Sequence, residues 1–136
     1  MSINTSFIRD TNLRAVKVLP AANATNYSDP IDLLDSNPGL KMRDAQIEVA
    51  LPATPSLVDA KTVTLTLQDS ADGTNFTDIA TLAPIVVTGA SGAGAAAVTR
   101  RFKLPGDVRR YIRTKQAVLA AGGDNTAVSI TTSVVH

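Results

Sequence analysis

Alternation of apolar and polar residues with a period of two limits the fold of this chain more than any other feature. In KTVTLTLQ, residues 61–68, Val63, Leu65 and Leu67 share one face, and threonines occupy the other. A strand with one buried face shows this pattern, because successive side chains point to opposite sides of a sheet. No segment shows an extended helical apolar stripe. The pattern therefore predicts an all-β protein.

Similar alternation recurs along the chain and predicts about eight or nine short strands, enough for a two-sheet jelly roll. The segments are LRAVKVL, RDAQIEVAL, KTVTLTLQ, FTDIATL, PIVVTG, AVTRRFKL, YIRTKQAVL and TAVSITTSVV. Turns rich in Gly, Pro and Asp separate them, as is typical of sandwiches and barrels. We therefore predict one domain over residues 13–136, a jelly-roll-like antiparallel β-sandwich.

Two polar segments depart from this alternation. Residues 1–12 are aperiodic and are predicted to form an N-terminal arm that orders when it binds a partner. Residues 20–40 are dense in Pro, Asn, Asp and Ser, which predicts a long loop with a short extended piece around residues 30–33.

Two glycine-containing segments are predicted to be connections. QDSADGTNF, residues 68–76, has no carboxylate at the first and last positions of an EF-hand loop centred on Gly73. Asp72 and Gly73 instead indicate a tight turn between two strands. TGASGAGAAA, residues 88–97, lacks the Gly-Lys-Ser/Thr of a phosphate-binding loop and is predicted to be a flexible connection.

Catalytic and metal-binding chemistry has little support in the composition. His136 is the single histidine and the last residue, and the chain has no cysteine. A chain end rarely holds a histidine as a catalytic triad needs, and no Cys- or His-based metal site can be assembled. We expect neither an enzyme nor a cofactor. No apolar run is long enough for a membrane span or signal peptide, and no membrane association is expected.

Charge is concentrated in RRFKLPGDVRRYIRTKQ, residues 100–116. This segment has seven of the 13 Lys and Arg residues and one of the 12 acidic residues, so the remaining chain is acidic. Strand parity places Phe102, Leu104 and Ile112 inward. The same alternation places Arg101, Lys103, Arg109, Arg113 and Lys115 outward. The predicted partner-binding residues, on one basic edge, are Arg101, Lys103, Arg109, Arg110, Tyr111, Arg113 and Lys115.

Three interpretations of this basic segment are weighed. Arginine pairs well with carboxylates across protein interfaces, and an acidic partner surface or a second copy of the chain fits best. A nucleic-acid partner is disfavoured, because single-strand binding also uses exposed aromatic residues and the chain has three Phe, two Tyr and no Trp. A solvated charged face is the third interpretation.

Three stretches resemble a known family. They are PIDLL leading into AQIEVAL, the hairpin VTLTLQDSADGTNFTDI, and RRFKLPGDVRRYIR followed by the last strand AVSITTSVV. In these the chain resembles the small jelly-roll cement, or decoration, proteins on the capsids of tailed bacteriophages. The likeness extends over roughly residues 25–135, and its motifs are structural.

The resemblance implies a structural virion protein on the outer capsid surface, made in the host cytoplasm. Such proteins commonly form homotrimers and bridge neighbouring major capsid proteins against internal DNA pressure, without a cofactor. The motif that carries over is Arg109, Arg110, Tyr111 and Arg113. The alternative function is a tail-associated or carbohydrate-binding β-sandwich, for which the scarcity of aromatic residues is unfavourable.

Overall fold

The fold is given by a computed structural model, which describes residues 9–33, 46–104 and 108–135, with side chains from Arg14 onward. These residues contain strands and no helix. The strands are β1 (Arg9–Val18), β2 (Ala24–Tyr27), β3 (Ile31–Asp32), β4 (Gln46–Leu51), β5 (Thr62–Ser70), β6 (Thr77–Asp78), β7 (Ile85–Thr88), β8 (Val98–Lys103), β9 (Tyr111–Val118) and β10 (Ser129–Val135).

The strands form two antiparallel sheets. Sheet A has the order β1-β10-β4-β8, and sheet B has the order β2-β9-β5-β6, with β3 also pairing with β9 and β7 with β5. Strands early in the chain pair with strands late in the chain as nested hairpins: β1 with β10, β2 and β3 with β9, β4 with β8, and β5 with β6 and β7. This nesting is the jelly-roll topology, and it confirms the predicted all-β sandwich.

The core lies between the two sheets and follows the predicted alternation. Val63, Leu65 and Leu67 of β5 are buried, and Ile112 and Val118 of β9 are buried on the same sheet. Each fully buried side chain of this size contributes roughly 1.5–3 kcal/mol to the hydrophobic stabilisation. Burial of one face explains why polar side chains occupy the alternate positions.

Polar side chains also join the two sheets inside the sandwich. The hydroxyls of Thr114 on β9 and Thr132 on β10 form a buried hydrogen bond of 2.7 Å. Gln116 donates to the carbonyl of Val18 at 3.1 Å and to the Asn26 side chain at 2.9 Å, and Asn26 donates to the same Val18 carbonyl. These bonds connect β1 and β10 of sheet A to β2 and β9 of sheet B.

Several boundaries differ from the sequence-based expectations. Strand β1 begins at Arg9, and residues 1–8 of the expected arm lie outside the described residues. The expected loop over residues 20–40 contains β2 as well as the anticipated extended piece, β3. Strand β2 has the burial of an exposed edge rather than an alternating pattern, so its formation depends on pairing with β9. His136 and residues 105–107 also lie outside the described part.

The Ala- and Gly-rich segment joins β7 to β8 as predicted, but backbone contacts hold it to residues 54–61. Thr54 and Ala95 exchange backbone hydrogen bonds of 2.9 and 3.1 Å, and Gly92 donates to the Asp59 carboxylate. Gly94 has a φ of +71°, and a Cβ there would overlap the Thr54 carbonyl oxygen. Glycine is required at this close approach.

Candidate functional site

The basic segment is divided between the two sheets. Arg101 and Lys103 lie on β8, at the edge of sheet A, whereas Arg113 and Lys115 lie on β9, inside sheet B. The strands are consecutive in sequence but belong to different sheets, so their outward side chains face opposite sides of the sandwich. The prediction of outward side chains is confirmed, and the prediction of one basic edge is wrong.

On sheet A, one of the predicted residues has an internal acidic partner. Arg101 Nε donates to Glu48 Oε2 at 2.9 Å, and Glu48 is 7% exposed. Cross-strand register aligns Arg14, Ser133, Glu48 and Arg101 across the outward face of this sheet. The buried carboxylate therefore fixes Arg101 against β4.

Three further cations at sheet A are exposed and have no ion pair within the described residues. We call Arg14, Arg100 and Lys103 the sheet A cations. Lys103 is one of the predicted partner-binding residues. Because no acid of the described chain neutralises these charges, they remain available to an acidic surface.

On sheet B, Arg109 is bound to its own chain. Its Nε and Nη2 donate to Asp69 Oδ1 at 3.1 and 2.8 Å, and its backbone N–H donates to Asp69 Oδ2 at 3.1 Å. Nη2 also contacts the Thr77 hydroxyl. These hydrogen bonds to Asp69 raise the pKa of Arg109 above its ordinary value, so it stays charged. Arg109 thus fastens the start of β9 to the end of β5.

Two other predicted residues of sheet B also have acidic partners. Arg110 makes a bidentate pair with Asp32, at 2.9 and 2.7 Å, and its guanidinium lies 5.0 Å from the centre of the Tyr111 ring. Lys115 Nζ lies 3.7 Å from Asp78 Oδ1, with both side chains partly exposed. Arg110 therefore ties β9 to β3, while the Lys115 pair is looser and more solvated.

Arg113 has a different environment. Its guanidinium carbon lies 3.9 Å from the centre of the Tyr27 ring and 4.0 Å from that of Phe76. Its Nε donates to Gln68 Oε1 at 2.9 Å, and the Gln68 amide donates to Asp78 at 2.8 Å. Burial between these groups lowers the pKa of Arg113 from its ordinary value. Two aromatic rings and a fixed amide, rather than a carboxylate, hold this arginine.

The turn between β5 and β6 positions Phe76. The Asp72 carboxylate accepts hydrogen bonds from the backbone N–H of Asn75 and of Thr74, both at 2.9 Å, and these bonds lower its pKa well below the usual range. Gly73 has a φ of +78° and lies against the Tyr111 ring. The predicted connection at Asp72 and Gly73 is confirmed, but it is a longer loop over residues 71–76 rather than a tight turn, and Phe76 at its end lies beside Arg113.

The partners of these arginines are what sequence reasoning missed. Asp69, Asp32 and Glu48 are separated from their arginines by 40, 78 and 53 residues. Their outward strand positions give a weak signal, but strand pairing decides which acid meets which arginine. Tyr27 was missed for the same reason, since β2 was not expected.

Other chemistries have no counterpart in the described residues. Those residues contain no group of three or more His, Cys, Asp or Glu side chains that could hold a metal ion. They also contain no helix that is long and apolar enough to cross a membrane.

Comparison with other proteins agrees with the fold. The crystal structure of the PBSX exported protein XepA matches 88% of this chain with a TM-score of 0.55 and 14% sequence identity. The match covers 36% of that protein's length, and at this identity it concerns the fold alone. Among curated proteins, no sequence matches this chain. The Bbp16 family matches residues 15–134, and the chain therefore belongs to this phage-associated family.

Proposed function

We propose that the chain is a capsid cement, or decoration, protein, which binds the outside of a phage capsid and bridges neighbouring major capsid proteins. Membership of a phage-associated family and the jelly-roll topology support this role. The observation that carries the proposal is the unpaired charge of the sheet A cations: Arg14 and Lys103 lie on the outward face, and Arg100 is exposed on the edge strand β8. Its action is associative and non-catalytic, and it needs no cofactor.

Sheet A is the proposed face for the shell. Arg14, Arg100 and Lys103 have no acidic partner within the described chain, so an acidic capsid surface pairs with them without first breaking an internal ion pair. Arg109 and Arg110 would each have to leave a carboxylate that they already bind. Many weak contacts of this kind, repeated over a symmetric shell, add by multivalency.

The decisive experiment measures attachment of purified variants to shells of the parent phage that lack this protein. The double variant Arg100→Glu, Lys103→Glu should lose at least about tenfold in attachment, because both charges then repel an acidic surface. Its matched control is Lys61→Glu, since Lys61 lies outside the sheets and has no described ion pair. Normal attachment of the double variant would refute the assignment of sheet A.

Assembly in the proposed role is a homotrimer on the outer surface of the virion, after synthesis in the host cytoplasm. Light scattering of the protein bound to, and free of, shells tests this assembly. A trimer in solution supports it, and a monomer at every concentration together with single copies on the shell contradicts it.

The carbohydrate-binding alternative has one observation in its favour. Tyr27, Phe76 and Tyr111, three of the five aromatic residues, gather on the outward side of sheet B. Arginine side chains already cover one face of each ring, which reduces the area left for a sugar. A glycan array with specific micromolar binding, lost in Tyr27→Ala, would favour this function over cementing.

A further inference from the structure

We propose that Arg113 is a preorganised receptor for a carboxylate side chain of a partner protein, on the outward face of sheet B. This face is opposite to the outward face of sheet A and is a second contact surface. Its role does not depend on attachment of sheet A to a shell.

The hydrogen bonds of Arg113 differ from those of Arg101, Arg109 and Arg110. A guanidinium has five N–H donors. Arg101, Arg109 and Arg110 each direct donors to a carboxylate of this chain. Arg113 uses Nε on Gln68, and its two Nη groups make no hydrogen bond with the described residues. Four donors in a planar fork therefore remain for a ligand.

The fork of Arg113 is held in place before any ligand arrives. Tyr27 from β2 and Phe76 from the β5–β6 turn contact the guanidinium, and Gln68 of β5 fixes Nε. Gln68 is itself buried and bonded to Asp78. Because three separate segments restrain it, Arg113 loses little further rotamer freedom on binding, which favours affinity.

Exposure and residue type fit a protein contact. Arg113 and Phe76 are half-buried, and Tyr27 is 41% exposed, so a side chain of a partner protein can reach the cluster. Tyrosine and arginine in a partly desolvated cluster are the residue types that most often dominate binding energy at protein interfaces. A carboxylate matches the planar donor pair of the guanidinium and accepts two parallel hydrogen bonds.

The surrounding charge favours a single carboxylate over a polyanion. Nucleic-acid binding needs a surplus of cations that displaces condensed counterions. On sheet B, each cation near Arg113 has an acid beside it, so the local charge is close to balanced. The cations are Arg109, Arg110, Arg113 and Lys115, and the acids are Asp32, Asp69, Asp72 and Asp78. A phosphate backbone would meet these carboxylates as well.

NMR of the arginine side chains tests the proposal on the whole protein. The probe is a blocked Gly-Asp-Gly tripeptide, and the same tripeptide with Asn in place of Asp is its control at equal ionic strength. We call Tyr27 and Phe76 the aromatic clamp of Arg113. The Arg113 guanidinium signal should shift saturably, at about tenfold lower peptide concentration than that of Arg100, which is exposed and lacks such a clamp among the described residues. The Asn peptide should cause no such shift.

Variants separate the clamp from the charge. Tyr27→Leu and Phe76→Leu keep Arg113 but remove one ring each, and both should weaken the response to the Asp peptide toward that of Arg100. The amide spectrum establishes whether each variant stays folded. If one variant unfolds, the other still tests the contact between an aromatic ring and Arg113. Equal responses of Arg113 and Arg100 in the unmodified protein would overturn the proposal. Tighter binding of dimethyl phosphate than of the Asp peptide would overturn it in favour of nucleic acid.

Discussion

Sheet A and sheet B both carry basic side chains from the same short segment, but they use them differently. On sheet B, Arg109 and Arg110 are bound to Asp69 and Asp32, and each pair joins β9 to a neighbouring strand. On sheet A, Arg100 and Lys103 have no ion pair within the described residues. Basic residues of one sequence segment therefore fall into two groups: those bound to an acid of the chain and those available to a partner.

The difference shows that a cluster of charges in sequence is not a cluster in space. A jelly roll places consecutive strands β8 and β9 in different sheets, and each then meets different acids. Arg109 and Arg110 of sheet B stabilise the fold, and the sheet A cations create a field for a partner. Four measurements test this division, ordered from the largest expected effect on stability to the smallest.

Asp69→Ala is expected to lower the free energy of unfolding most, by about 2 kcal/mol, because the Arg109 backbone N–H and guanidinium both lose a nearly buried acceptor. Urea denaturation measures the change. Asp29→Ala is the control, since Asp29 is exposed and its carboxylate has no described partner, and it should change stability by less than about 0.5 kcal/mol. Similar small effects for both variants would remove the structural role of Arg109.

Glu48→Gln tests the Arg101–Glu48 ion pair of sheet A and should cost about 1 kcal/mol. The buried side chain keeps an acceptor oxygen but loses its charge, and the partly exposed Arg101 then regains water. The same denaturation assay applies. If Glu48→Gln costs more than Asp69→Ala, the assignment of structural ion pairs to sheet B is reversed.

Acidification should weaken the β5–β6 turn beside Arg113. The folded-state pKa of Asp72 is lowered from an ordinary value of 3.8, so its carboxylate contributes stability above that value and loses it as the pH falls below it. Unfolding at pH 7 and pH 3 should therefore differ more for the unmodified protein than for Asp72→Asn. Parallel pH dependence of the two proteins would show that the turn does not depend on this charge.

Arg100→Gln together with Lys103→Gln is expected to leave stability unchanged within about 0.5 kcal/mol, since these exposed cations break no internal bond. Thermal unfolding and shell attachment measured on the same sample sharpen the comparison. Attachment should fall while stability is retained. A clear loss of stability would mean that sheet A also uses its cations internally.

Strand parity predicts much of this molecule, because burial of one face is a local property of sequence. The inward positions of Val63, Leu65 and Ile112 follow from it, and so do the outward positions of Arg101, Lys103, Arg113 and Lys115. The connection at Asp72 and Gly73 follows instead from its residue types. Parity says nothing about which strands become neighbours, and the ion pairs that Arg101, Arg109 and Arg110 make with Glu48, Asp69 and Asp32 each span 40 residues or more. The partner of each cation is therefore a property of topology.

Strand β2 shows a second limit. Its residues, ATNY, have no buried face, and they form a strand because β9 offers them a paired edge. Because the sequence does not predict β2, it does not predict that Tyr27 lies beside Arg113. The contact of this ring with the guanidinium therefore cannot be anticipated from sequence.

The hydrogen bonds that cross between the sheets have a mechanical consequence. Apolar contacts are not directional, whereas a hydrogen bond has a preferred distance and angle. The Thr114–Thr132 bond and the bonds to the Val18 carbonyl lose their geometry when the sheets shift sideways. The sandwich is therefore braced against shear, and a lateral force on one sheet is transmitted to the other rather than absorbed by slip.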